Sequence, residues 1–157
     1  STYQQFMRLP MTQRLAVYAA ILHLFVEIEE KGIVIEDFYD GCILYDFETG
    51  QAHVCDLDHI HHRAYVLDKD RQYGSARFMA PEEFHKGSLI DRRTNVYTLG
   101  ATGFVLLNDN RRQRADWPLG EASYRVLAKA TAVNKEDRLG SGREFSEQWQ
   151  IICDHFG

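Results

Sequence analysis

The chain has 157 residues, of which 45% are hydrophobic and 26% are charged, and its formal net charge at pH 7 is −5. This length and composition are typical of one globular domain with a hydrophobic core of its own. Because nucleic acids and anionic membranes are bound through clustered lysine and arginine, the acidic balance argues against both as partners. The three cysteines, Cys42, Cys55 and Cys153, form no CxxC pair, which favours a reducing compartment and predicts a cytoplasmic protein.

The first predicted element is a long helix at residues 12–31, which Thr12 can cap and Gly32 can end. Apolar residues occupy most of its faces, so we expect this helix to be buried inside a mainly helical domain. Its apolar stretch, residues 15–28, is interrupted and is expected to be too short to span a bilayer.

Short strands are predicted next, on either side of an acidic loop. Residues 33–35 and 43–45 are short apolar runs, residues 46–50 form a turn, and residues 52–57 return as a strand. These runs predict a small β-hairpin. Residues 59–77 show no hydrophobic periodicity and mix charged residues with histidine and tyrosine, so we expect a long loop there.

The second half of the chain is predicted to be helical. A proline favours the start of a short helix at residues 81–84, and residues 94–108 form a strongly apolar helix. After a polar loop at residues 109–119, an amphipathic helix is predicted at residues 121–132 and a last helix at residues 141–156. The predicted fold class is therefore mainly α, with a small β-hairpin.

Five short motifs occur in an order that is more informative than any one of them alone. They are residues 36–44, the sequence His-Val-Cys-Asp at 53–56, Gly-Ser-Ala-Arg-Phe-Met-Ala-Pro-Glu at 74–82, Thr-Asn-Val-Tyr-Thr-Leu-Gly at 94–100, and Arg138. In this order they resemble the C-terminal (large) lobe of the eukaryotic-like serine/threonine protein kinase family. The resemblance implies one protein-kinase-like C-lobe over residues 1–157, without the N-lobe that contains the ATP-binding elements of the family.

The resemblance implies roles for three aspartates. Asp37 matches the catalytic aspartate, which accepts or orients the proton of the attacking hydroxyl, although a surface loop residue is the simpler interpretation of Asp37 alone. Asp56 stands where the family has Asp-Phe-Gly and would bind Mg²⁺ against the phosphates of ATP. Asp58 replaces the glycine of that triplet and adds a charge that could also reach the metal. We expect Asp37 and Asp56 to open onto the same cleft.

The resemblance also predicts two contacts that shape the lobe. Glu82 would form a buried ion pair with Arg138, for which the fork of a guanidinium is well suited. Asn95 stands where the family has an aspartate that binds the backbone of the catalytic loop. Because asparagine keeps an acceptor oxygen but has no charge, we expect it to hold that loop less firmly.

The departures from the family pattern fall at positions of chemical importance. Glu36 replaces the arginine that binds a phosphorylated activation loop, so activation by that route is not expected. Tyr39 replaces a lysine that steadies the phosphoryl group. Cys42 replaces the asparagine that binds a second Mg²⁺, and a thiol is a poor ligand for that ion, although Asp40 could compensate.

We therefore expect the C-lobe of a divergent serine/threonine protein kinase, whose intact form transfers the ATP γ-phosphoryl to a protein hydroxyl with Mg²⁺ and ATP as cofactors. This chain alone, with no glycine-rich loop and no strand lysine, is expected to be inactive. Two alternatives remain open, a pseudokinase that serves as an interaction module and a small-molecule phosphotransferase of the aminoglycoside or choline kinase kind. Ala80, Pro81, Glu82 and Arg138 favour the protein kinase over the small-molecule enzyme.

A zinc site is a further alternative for the loop after Asp56. His59, His61 and His62 could bind the metal together with Asp56 or Asp58. These histidines lack the i, i+4 spacing with which one helix directs two ligands at a zinc ion, so plain surface residues are the favoured interpretation.

Overall fold

Two long helices, α2 (Met11–Glu30) and α3 (Arg92–Asn108), form the centre of the fold. In the computed structural model, which describes residues 1–156, α3 is buried along nearly its whole length from Thr94 onward. Asp91 caps α3 by accepting hydrogen bonds from the backbone N–H groups of Arg93 and Thr94. Helix α3 thus confirms the strongly apolar helix that the sequence predicts.

Helix α2 ends as predicted but is less buried than expected. Gly32 lies just beyond it with a φ of 76°, the left-handed conformation that glycine adopts most easily. At the other end Pro10 precedes the helix and Thr12 lies inside it, so the predicted cap was wrong. One face packs in the core and the opposite face is exposed; the buried residues are Val17, Tyr18, Ile21, Leu22 and Phe25.

By length and composition alone, α2 could cross a membrane, which corrects the expectation that its apolar stretch is too short. Core helices of soluble proteins meet the same criterion. Here α2 packs against both α3 and α5 (Gly142–Cys153), and Tyr18 donates a hydrogen bond of 2.7 Å to the Leu99 carbonyl of α3. The apolar face of α2 is therefore used inside the fold.

The predicted β-hairpin is present. Strands β2 (Ile43–Tyr45) and β3 (Ala52–Val54) pair antiparallel, with Ile43 opposite Val54. Asp46 closes the turn between them, because its carboxylate accepts hydrogen bonds from the backbone N–H groups of Glu48 and Thr49. The hairpin connects the loop that contains Asp37 to the loop that contains Asp56.

The segment at residues 59–77, predicted to be an irregular loop, contains two short strands. Strand β4 (Ile60–His61) pairs with β1 (Val34–Ile35), and β5 (Tyr65–Val66) pairs with β6 (Leu89–Ile90). Strands of two residues give no detectable periodicity in the sequence, and their partners lie far away along the chain. The two pairings fix the segment to the body of the lobe.

The remaining helices complete the core. Helix α1 (Thr2–Met7) was not predicted, whereas α4 (Glu121–Ala130) and α5 agree with prediction. Gly103 of α3 permits a close approach of its neighbours, because a Cβ atom there would lie 2.8 Å from Leu127 of α4 and from the Tyr18 hydroxyl. Helices α2, α3, α4 and α5 thus pack against one another, and α2 also contacts β3 of the hairpin.

Candidate active-site cleft

Asp37 and Asp56 share an unusual backbone conformation. Each lies two residues beyond a short strand, with a φ of 61° for Asp37 and 58° for Asp56. This left-handed region is uncommon for residues other than glycine, and strained residues of this kind cluster at functional sites. Asp37 is partly buried and Asp56 is exposed. Asp109 and Asn110, at the end of α3, adopt the same conformation, so it supports the two candidate aspartates only together with their places after β1 and β3.

Two cysteines connect the loops of these aspartates. The backbone N–H of Cys55 donates to the Cys42 carbonyl over 2.8 Å, which extends the hairpin by one position. The Cys42 thiol lies 3.7 Å from the Asp37 carbonyl oxygen, and the Cys55 thiol lies 3.7 Å from Oδ2 of Asp56. The two aspartates therefore belong to neighbouring loops that are joined at the base of the hairpin.

The electrostatic surroundings agree with this arrangement. Burial raises the pKa of the Cys42 thiol, and the charges of Asp37 and Asp56 raise it further. Cys42, together with the same two aspartates, also raises the pKa of the Tyr39 phenol. Both Asp37 and Asp56 are thus close enough to Cys42 and Tyr39 to disfavour their ionisation.

The segment that resembles an activation segment passes over Asp37. Gly74 has a φ of 149°, and a Cβ atom at this position would lie 3.5 Å from Oδ1 of Asp37. The Gly74 carbonyl accepts a hydrogen bond of 3.2 Å from Arg71, which fixes its position. The two strongest sequence motifs, at residues 36–44 and 74–82, therefore meet at the Asp37 carboxylate.

Tyr39, one of the departures from the family pattern, and its neighbour Asp40 both have defined contacts in the structure. A side chain at Gly41 would overlap the Tyr39 ring, so Gly41 provides the space in which that ring lies. Tyr39 lines a cavity of about 290 Å³ together with Tyr3, Phe6 and other apolar residues. Asp40, which the sequence suggested could compensate for Cys42, forms an ion pair of 3.1 Å with Arg77 through its Oδ2 atom.

Among residues 1–156, no three histidines, cysteines or acidic residues are grouped so that they could hold a metal ion. His61 is engaged with Glu36, so the zinc alternative has no ligand set in this part of the chain. Magnesium requires fewer protein ligands, because proteins often hold it with one or two carboxylates plus substrate phosphates. The exposed carboxylate of Asp56 fits this requirement, and Asp58, two residues further on, is also exposed.

Asn95 holds the Asp37 loop more firmly than the sequence suggested. Its Oδ1 accepts a hydrogen bond of 2.9 Å from the Ile35 N–H, and its Nδ2 donates one of 2.8 Å to the Ile35 carbonyl. A carboxylate could accept the first bond but could not donate the second. Asparagine thus anchors both backbone groups of the residue that lies two positions before Asp37.

The predicted ion pair between Glu82 and Arg138 is confirmed, with their closest N–O distance at 2.7 Å. Thr94 of α3 donates a further hydrogen bond of 3.0 Å to Glu82. These contacts tie the end of the segment at residues 74–82 to α3 and to the turn before α5. The resemblance to the kinase family predicted this contact between Glu82 and Arg138.

No protein-family model matches the sequence, and no curated protein matches it either. Among solved structures, the fold is similar to that of the Cydia pomonella granulovirus kinase PK-1, with a TM-score of 0.68. The fold is kinase-like. The sequence identity is 15%, and the match covers 90% of this chain but only 59% of the viral kinase. At that identity the likeness shows the fold alone, and it confirms the predicted fold class, a mainly helical kinase-like C-lobe with a small hairpin.

Proposed function

We propose that this chain is the large lobe of a divergent protein kinase, which in its intact form transfers the γ-phosphoryl group of ATP to a protein hydroxyl. The observation that supports this most directly is the pair of left-handed aspartates, Asp37 and Asp56, on loops joined through Cys42 and Cys55. Strained carboxylates at strand ends are costly, and a kinase-like fold provides a chemical reason to keep them.

In this proposal Asp37 acts on the substrate hydroxyl that accepts the phosphoryl group. Its carboxylate accepts or orients the proton of the attacking hydroxyl, while most of the rate enhancement comes from positioning and charge neutralisation. Gly74 lies beside the Asp37 carboxylate, because a Cβ atom there would be 3.5 Å from Oδ1, so the segment at residues 74–82 borders the proposed acceptor site. Asn95 keeps the loop in place through Ile35.

Asp56 is the proposed magnesium ligand, with the exposed Asp58 as a second carboxylate. When bound, Mg²⁺ would neutralise charge on the phosphates of ATP. Cys42 is a poor partner for this ion and Asp40 is paired with Arg77, so we propose that the chain supplies ligands from the Asp56 side only. The Tyr39 phenol lies where the family has a lysine and is neutral near pH 7, since its pKa is raised above the usual value near 10.

Two observations favour a protein substrate and an additional lobe. The segment that ends at Glu82 is fixed by Arg138, as in enzymes with a peptide-docking surface rather than those that act on small molecules. On the hairpin, Leu44 is 57% exposed and Phe47 is 43% exposed. Exposed apolar side chains of this size mark surfaces that a partner covers, and we propose that a nucleotide-binding lobe does so here.

A pseudokinase is the second candidate. Tyr39 and Cys42 both lack the chemistry of the residues that they replace, and Asp40 is engaged in an ion pair with Arg77. Such a protein would keep the shape of the lobe and use it to bind a partner. The two candidates differ in whether the intact protein transfers phosphate.

The test uses the full-length protein with Mg²⁺ and ATP labelled on the γ-phosphate. We expect Asp37→Asn to abolish transfer to protein while leaving nucleotide binding nearly unchanged. Asp137→Asn, on the exposed turn before α5, is the matched control and should retain full activity. If wild-type protein binds Mg-ATP without transferring phosphate, the pseudokinase is correct. Undiminished turnover in Asp37→Asn would refute the proposed role of that residue.

A further inference from the structure

Glu36, the residue immediately before Asp37, is an almost fully buried carboxylate with 7% of its surface exposed. A buried charge is costly unless it is paired and hydrogen-bonded. Glu36 also contributes a backbone contact, because its N–H donates over 2.9 Å to the carbonyl of His59. This contact continues the pairing of β1 with β4. Glu36 therefore lies at the junction between the Asp37 loop and the segment that follows Asp56.

Both side-chain partners of Glu36 come from that segment. Nε2 of His61 lies 2.8 Å from Oε2 of Glu36, and Nζ of Lys69 lies 3.8 Å from Oε1. Since an ionised carboxylate only accepts hydrogen bonds, His61 is the donor in the shorter contact. Each carboxylate oxygen thus has a partner of its own, and both partners lie beyond Asp56 in the sequence.

The two partners are themselves held in place by aromatic rings. The imidazole of His61 stacks on Tyr65 with ring centroids 3.6 Å apart, and Nζ of Lys69 lies 3.6 Å from the centre of the Tyr73 ring. Such contacts reduce the side-chain freedom that is lost when an ion pair forms. We define these three charged or hydrogen-bonding residues, Glu36, His61 and Lys69, as the Glu36 cluster.

Other charges near the Glu36 cluster are negative. Asp68 lines the same small cavity as Glu36 and Lys69, and Glu36 is one of the carboxylates that raise the pKa of Glu83. Repulsion from these carboxylates increases the need of Glu36 for the two partners. Removing His61 or Lys69 would leave a buried carboxylate next to Asp37 with too few donors.

We infer that Glu36, His61 and Lys69 are positioning residues for the proposed phosphoryl transfer, an inference that rests on the proposed function. The cluster joins the segment after Asp56 to the Asp37 loop and would thereby keep the loops of the two aspartates in a fixed relative position. An arginine at position 36 would require an anion, such as a phosphate, on the facing segment. Here the carboxylate finds its donors within the chain, so the segment is held in place without phosphorylation.

The first test measures the structural linkage in the full-length protein and does not depend on activity. We expect Glu36→Gln and His61→Gln each to speed amide hydrogen exchange in residues 34–42 and in residues 59–69 together. His23 and Glu27 form the matched control, an i, i+4 pair of 3.0 Å whose side chains are 76% and 57% exposed. His23→Gln should leave exchange in both segments unchanged. Faster exchange in only one of the two segments would refute the linkage.

The second test separates positioning from stability. Glu36→Gln should lower kcat by on the order of 10- to 100-fold, because small displacements of catalytic groups have effects of that size. Phe145→Leu, in the core on α5 and outside the Glu36 cluster, serves as a variant of reduced stability. Phe145→Leu should retain the wild-type kcat at temperatures where it is folded. Lys69→Arg keeps the positive charge beside Glu36 and should retain most of the activity. Equal kcat in Glu36→Gln and wild type would overturn the proposal.

The third test concerns phosphorylation. Treatment of the active full-length protein with a phosphatase should leave its rate of phosphate transfer unchanged. Loss of activity would contradict the inference that the segment after Asp56 is held in place without phosphorylation. The outcomes also separate the two proposals. If Glu36→Gln speeds amide hydrogen exchange in both segments but wild-type protein transfers no phosphate, only the proposed function is refuted. If wild-type protein transfers phosphate and Glu36→Gln does not slow it, only the positioning role is refuted.

Discussion

Glu82 and Arg138, 56 positions apart in the sequence, form a two-pronged ion pair with N–O distances of 2.7 and 2.8 Å. The Arg138 side chain is completely buried, and its remaining donors bind the carbonyl groups of Arg93, Ala132 and Val133. Burial by itself raises the pKa of Glu82, but the hydrogen bonds and charge of Arg138, together with hydrogen bonds from the backbone and from Thr94, outweigh it and lower the pKa overall. This contact joins the segment at residues 74–82 to the far end of the lobe.

Replacing Arg138 by alanine should destabilise the protein by about 3–5 kcal/mol, because the substitution leaves Glu82 buried without its partner. Denaturation by urea, followed by circular dichroism, measures the change. Arg125→Ala is the matched control, since Arg125 pairs with Glu121 at the surface and its side chain is 72% exposed. The control should cost less than about 1 kcal/mol. Equal costs for the two variants would show that the buried pair contributes no special stability.

Asn95→Asp should destabilise the protein even though aspartate is the usual residue of the kinase family at this position. The new carboxylate could accept from the Ile35 N–H, but it could not donate to the Ile35 carbonyl, which would lose its side-chain partner. We expect a cost of about 1–3 kcal/mol in the free energy of unfolding. Asn134→Asp, at an exposed turn, should be nearly neutral. A stabilised Asn95→Asp variant would contradict the two-bond arrangement.

Glu83 should make the stability of the protein depend on pH. Burial raises the pKa of Glu83 from 4.5 to about 7. The charges of Glu82 and Glu36 act in the same direction, whereas a hydrogen bond from the Ala80 N–H opposes the shift. Since the folded state binds this proton more tightly than the unfolded state, the stabilising contribution is present below pH 4.5. It is lost as the pH rises to about 7.

Glu83→Gln removes this titration while keeping an oxygen that can accept from Ala80. The variant should match wild type in stability near pH 4 and exceed it by on the order of 1–3 kcal/mol at pH 8. Thermal unfolding at the two pH values measures the difference. Glu147→Gln, at a position with 66% side-chain exposure, should show no such dependence. If the difference in stability between Glu83→Gln and wild type is the same at both pH values, the proposed titration of Glu83 is refuted.

The 157-residue chain by itself should bind Mg-ATP weakly or not at all and should show no kinase activity. Phosphate binding in kinases depends on a glycine-rich loop and a strand lysine, and these 157 residues contain neither. Carboxylates alone hold Mg²⁺ poorly without substrate phosphates. Isothermal titration calorimetry provides the measurement. A micromolar dissociation constant would mean that the lobe binds nucleotide through groups other than those proposed here.

The positions of the main helices and the hairpin were predictable because their signals are local. The apolar run of α3, the glycine after α2 and the turn at Asp46 each depend on neighbouring residues along the chain. Asp37 and Asp56 could also be selected from the sequence, since the order and spacing of the motifs are properties of the chain alone. Helix α1 and the two-residue strands were missed because such short elements have too few residues to show a period.

Only the tertiary structure decided what surrounds the two aspartates. The donors that face Glu36 and the double hydrogen bond of Asn95 depend on residues that are distant in sequence, and the left-handed backbone at Asp37 and Asp56 was not signalled by the sequence. Glu36 and His61 are 25 positions apart, and the sequence presented one as a departure from a family pattern and the other as a surface histidine. Folding brings them together because a carboxylate withdrawn from water must find donors, and β1 and β4 place these donors beside it.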